Sequence, residues 1–183
     1  AGAGVDQPSA LRQVHQLLGN AAGPWTRWHE LVQANDIGWI PFLIFVGASK
    51  DEIAQVRAAD RQAQGVTAEE EAQAQHAVEG ARHAADGRLL VVQSPHDRSA
   101  PITDRLHPAL GGPAIDNVLL FGPREVQFFG DGRLVQWLAN RYPGSWYGGA
   151  LPARGYWGTD ASVDRAELES SVIQALEQAR GQR

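Results

Sequence analysis

The stretch Trp39-Ile40-Pro41-Phe42-Leu43-Ile44-Phe45-Val46 is the most hydrophobic run in the chain, and its reading decides the fold. It is short, rich in aromatic and β-branched residues, and bounded by Gly38 and Gly47. Such a run predicts a central strand buried on both faces. Proline lacks the N–H that a sheet ladder needs, so Pro41 is expected at the start of the strand. A helix follows, opened by a capping box of Ser49 and Glu52, with Ile53 and Val56 on its inward edge. Gly65 breaks that pattern. Thr67 and Glu70 form a second capping box, predicting a helix to about Ala85 with Ala74, Val78, Ala81 and Ala85 on its apolar side.

Upstream of the run, Ser9 to Leu18 reads as a helix with Leu11, Val14, Leu17 and Leu18 on one side, closed by Gly19. Pro24 suits a first helical residue. Trp25, Trp28 and Val32 then recur at helical spacing, which favours a core home for both tryptophans. Ala1-Gly2-Ala3-Gly4 reads as a loose start.

Downstream, Arg88 to Gln93 and Asn117 to Phe121 are strand candidates. Between them Ser94 to Asp116 is polar, punctuated by four prolines, with room for one short helix around Ile102 to Leu110. Glu125 to Phe129 and Arg133 to Leu138 are two extended runs joined by Gly130-Asp131-Gly132. Asp-Gly at such a junction predicts a β-hairpin, since glycine supplies the positive φ of the turn. Pro143 to Gly158 reads as a Gly/aromatic loop. Asp164 and Glu167 cap a last helix with Leu168, Val172, Ala175, Leu176 and Ala179 facing in.

The fold class expected is therefore α/β, a mixed sheet flanked by helices, as one domain over residues 1–183. Residues 1–37 form an N-terminal helical extension and 38–183 the sheet core. Two stretches, Pro41 to Gly47 leading into a helix and Glu125 to Val135 with its hairpin, resemble a thioredoxin-like layout. That resemblance implies paired cysteines near Ala48 to Asp51, where this chain has none, and hence a scaffold without redox activity.

Composition bounds the chemistry. With 43% hydrophobic and 20% charged residues the chain is ordinary globular material. Cysteine is absent, which excludes disulfides, thiolate nucleophiles and thiol-ligated metal. It leaves the compartment open between cytoplasmic and periplasmic or secreted mature forms. Nothing else in the sequence names a cofactor. No basic n-region precedes an apolar stretch, so no signal peptide is expected in this form. No run reaches the roughly 18 apolar residues of a membrane span. Net charge is −5, and Lys50 is the sole lysine against fifteen arginines. That bias reads as codon usage, or as avoidance of lysine modification in a toxin-like protein. No basic stripe for nucleic acid is present. The partner expected is a protein or a small-molecule ligand.

Three constellations carry possible chemistry. His76, Glu79 and His83 share one helical face, as metal or proton-transfer work would want, but that face lies opposite the alanine stripe and reads as a solvated surface. The 94–116 loop offers His96, Asp97, His107 and Asp116 as metal ligands or acid/base groups, with Arg105 to hold an anionic substrate. The same loop also reads as one held by Asx-turns and ion pairs. The third set is Trp137, Tyr142, Trp146, Tyr147, Tyr156 and Trp157. Flat rings between glycines suit a stacking platform for a sugar, nucleobase or cation, or a satellite core over the sheet edge. Two functions follow: a non-catalytic binding module working through the aromatic segment, or an acid/base or metal-assisted hydrolase working through the 94–116 loop.

Overall fold

A computed structural model describes residues 9–180. The loose start read at Ala1 to Gly4 lies outside the described residues. The chain divides into two compact units, with the boundary between Gly65 and Val66.

The first unit holds helices α1 (Ala10–Leu18), α2 (Arg27–Phe45) and α3 (Lys50–Ala63). Ser9 caps α1 by accepting from the Arg12 N–H at 3.2 Å, and Gly19 ends it at φ 52. The run Trp39 to Val46 is helical, not a strand. Gly38 (φ −153) and Trp39 (φ 56) break α2 at a kink. A short second segment restarts at Ile40, which places Pro41 in a first turn, where its missing N–H has no intrahelical partner to lose. Gly47, at φ 73, closes the segment: its N–H donates to the Ile44 carbonyl and the Ala48 N–H to the Leu43 carbonyl, a Schellman cap. The glycines that read as strand boundaries are thus a helix kink and a helix stop. Ile40 and Leu43 are fully buried, whereas Ile44 and Phe45 stand out at 51% and 79% exposure. Trp28 is exposed and Trp25 half-buried, so neither is a core residue.

The second unit contains helices α4 (Ala68–Glu79), α5 (Ala100–Arg105), α6 (Gly132–Arg141) and α7 (Arg165–Arg180). Its strands are β1 (Arg82–Ala84), β2 (Leu89–Gln93), β3 (Asn117–Phe121), β4 (Glu125–Asp131), β5 (Trp146–Gly148) and β6 (Arg154–Asp160). They form one mixed sheet in the order β1-β2-β3-β4-β6-β5. Only β2 and β3 run parallel; every other neighbouring pair is antiparallel. No strand precedes Arg82 among the described residues, so the sheet core begins far later than residue 38.

Strand alternation sorts the core into two layers. Leu89, Val91, Leu119, Phe121, Val126, Phe128 and Trp157 point to one face, against Leu134, Val135 and Leu138 of α6 and Leu168, Val172 and Leu176 of α7. Leu90, Val92, Val118 and Leu120 point to the other, against Ala74 of α4 and Ile102 of α5. Helix α4 ends at Gly80, short of Ala85, so His83 lies on β1 and the proposed His76/Glu79/His83 face does not exist.

The hairpin expected at Gly130-Asp131-Gly132 is likewise absent. The Asp131 carboxylate accepts from the Arg133 N–H at 2.8 Å and acts as the N-cap of α6. Strand β4 pairs with β6 instead. Both stretches that carried the thioredoxin-like resemblance therefore adopt other secondary structure: a helix, and a strand turning into a helix.

Candidate functional site

The parallel pair separates the 94–116 residues. Leu89 faces Asn117 and Gln93 faces Phe121, so His96 and Asp97 follow the far end of β2 while Asp116 precedes the near end of β3. Four residue steps of strand, roughly 13 Å, lie between those ends. His96, Asp97, His107 and Arg105 are also engaged locally through their side chains. The His96 Nε2 lies 3.3 Å from the Glu70 carbonyl oxygen of α4. The Asp97 carboxylate accepts from the Arg124 N–H and Arg124 Nε, both at 2.8 Å, and from the Glu125 N–H at 3.1 Å. Burial alone would raise the Asp97 carboxyl, but these three donors outweigh it and hold the group below its ordinary range. His107 Nδ1 accepts from the Ala109 N–H and caps a short 3-10 turn. Arg105 is paired with Glu71 at 2.7 Å and donates to the Pro101 carbonyl, which occupies the cation expected to hold substrate. Asp116 is exposed, and its carbonyl accepts from Arg154. Among the described residues no three His, Asp or Glu side chains are grouped to hold a metal ion.

The aromatic segment is not a loop. Trp146 and Tyr147 lie on β5, Tyr156 and Trp157 on β6, and Tyr142 caps the end of α6. Trp157 is 1% exposed and packs in the α6/α7 layer, with Tyr142 against it at a ring separation of 5.5 Å. Those two rings are core and are removed from the binding set.

Of the other rings, Trp137 lies on α6, and Tyr147 stands opposite Trp157 on the α6/α7 side, so neither joins Trp146 and Tyr156. Trp146 stands opposite Gly158, and Tyr156 opposite Gly148, so all four positions share one face of the sheet. A Cβ built on Gly158 would meet Cε2, Cζ2 and Nε1 of the Trp146 indole at 2.5 to 2.6 Å, so the indole covers the glycine. A Cβ on Gly148 would meet the Tyr156 hydroxyl at 2.5 Å. The glycines therefore seat the rings, and their outer surfaces stay open at 43% and 45% exposure.

Strand β4 continues this face with Glu125 opposite Asp160, Gln127 opposite Gly158, and Phe129 opposite Tyr156. Gln127 donates to the Glu125 carboxylate at 3.1 Å and to the Asp97 carbonyl at 3.2 Å. The hydroxyl and N–H of Ser162 hold the Asp160 carboxyl below its ordinary range. The other face of the same strands is closed by α6 and α7.

Sequence reasoning missed Gln127, Glu125 and Asp160 as neighbours of the rings, because they enter through β4–β6 pairing that no local pattern encodes. In the first unit it also missed a cavity of about 530 Å³ lined by Arg12, Trp25, Arg27, Glu30 and Phe42. There Arg12 covers Trp25 at 4.4 Å, and Arg27 is tied to Glu30 and Glu52.

Together the second unit's sheet and its open aromatic face define the class as an α/β protein with a ring platform on one sheet face. No model of a known family and no curated protein matches the chain. No described helix is long and apolar enough to cross a membrane.

Proposed function

We propose that this chain is a non-catalytic binding module whose ligand or partner is held on the aromatic face of β5 and β6. The observation that supports this reading is the seating of Trp146 and Tyr156. Burying a ring is worth a few kcal/mol, and Trp146 and Tyr156 leave 43% and 45% of their surface for a ligand to cover. Glycine at both opposing positions leaves room for each ring to lean across the sheet and still present its outer surface. The hydrolase reading is not advanced, because His96 and Asp116 stand at opposite ends of a strand pair and Arg105 is already neutralised.

A thermal-shift screen across saccharides, planar heterocycles and short peptides tests the proposal. The native chain is expected to shift with one ligand class, and Trp146→Ala and Tyr156→Ala are expected to lose that shift while keeping the native melting temperature within about 2 °C, the scale of a surface substitution. Variants that retain every shift, or that unfold, contradict the reading.

A further inference from the structure

We infer that the platform takes a carbohydrate, a chain of neutral or amino pyranoses, and this rests on the binding role proposed above. Three observations select that chemistry. First, an indole covering one glycine and a phenol leaning over another, both on one sheet face and each nearly half exposed, make an open floor and not a cage. A cage encloses a compact cation, whereas a floor suits the flat C–H face of a pyranose. Trp146 pairs opposite Gly158, and Tyr156 lies two residues back along β6, so the ring positions are offset by about 6.6 Å along the strand. That offset gives the floor a long axis and favours successive sugar units over a single one.

Second, the edge of the floor is built from acceptors. Glu125 and Asp160 stand directly opposite each other across β4 and β6. Like charges at such positions disfavour a sheet, and here each is offset by a local donor, Gln127 for Glu125 and Ser162 for Asp160. Beside a ring floor the two carboxylates are positioned to accept from sugar hydroxyl or ammonium groups, with the Gln127 amide next to them. Third, the same carboxylates disfavour a nucleotide or any polyanion, as does the net charge of −5.

The test is isothermal titration of the full chain with chitohexaose and with cellohexaose, alongside tryptophan fluorescence. The two probes separate amino from neutral sugars. Saturable binding of either is expected, weakened at least about tenfold (~1.4 kcal/mol) in Trp146→Ala and in Tyr156→Ala. Gly158→Ala keeps both rings but lifts the indole off its seat, and is expected to weaken binding by a similar factor. Asp160→Asn, which keeps an oxygen for the Ser162 N–H, is expected to weaken it several-fold.

Two results overturn the inference. One is folded native protein, with Trp146 quenchable by acrylamide, that binds neither hexasaccharide. The other is binding undiminished in all three ring and glycine variants. If instead Trp146→Ala and Tyr156→Ala both unfold the chain, the rings serve the fold, and the binding role beneath this inference fails with it.

Discussion

Two tryptophans eleven residues apart have opposite duties. Trp157 fills the α6/α7 layer at 1% exposure, while Trp146 lies open on Gly158. Trp157→Ala is therefore expected to cost about 3–5 kcal/mol, the usual range for emptying a large core site, and Trp146→Ala less than about 1 kcal/mol. Denaturant titration of the two variants checks the contrast. Asp97 has a structural duty as well. It binds two backbone N–H groups and the Arg124 guanidinium at the β3–β4 turn, so Asp97→Ala is expected to cost about 1–3 kcal/mol. The sign of its pH dependence follows from its depressed folded value. The stabilisation is fully present above the unfolded carboxylate value of about 3.9 and is lost as pH falls through the lower folded value. Chemical denaturation between pH 5 and pH 2 should show this loss in the native chain and a smaller one in Asp97→Asn.

Elements were legible in the sequence wherever their cause was local. The capping boxes at Ser49/Glu52 and Thr67/Glu70, the Asp164 cap and the strands around Leu89 and Asn117 all form as their residues suggest. Two elements misled because one local signal serves two structures. Gly38, Pro41 and Gly47 bound a strand or punctuate a helix equally well. The spacing of Ile40 and Leu43, both buried, is the helical clue. Gly130-Asp131-Gly132 starts a hairpin or an N-cap, and Leu134, Val135 and Leu138, all buried, show helical spacing, not alternation. The face proposed to bind was legible only as a list of rings. Its geometry depends on Gly148 and Gly158 facing those rings across β5 and β6, a register that no short-range pattern states. At this scale Asn117 ties strand ends together: its amide N–H donates to the Arg88 carbonyl and its oxygen accepts from the Asp131 N–H. Asn117→Ala leaves buried groups unpaired and is expected to cost about 2 kcal/mol, read from the same denaturant titrations.

At the scale of the whole molecule, the second unit has a complete two-sided core of its own, and the chain's open aromatic face lies on it. A fragment beginning at Val66 is expected to unfold in a single cooperative transition by calorimetry. A broad, non-cooperative trace would show that the sheet needs the first unit. The cysteine-free composition removes thiol chemistry, and His96 and Asp116 stand beyond opposite ends of the parallel pair β2–β3. What remains is a platform of rings backed by glycine and edged by carboxylates. The most direct test of that account is a ¹⁵N-correlated NMR titration of the full chain with chitohexaose and cellohexaose. The account predicts that the Trp146 indole N–H and the amides of residues 146–148 and 156–160 move together, while the Trp157 indole stays in place. Shifts centred on His96, His107 and Asp116, or no shift with either sugar, would contradict it.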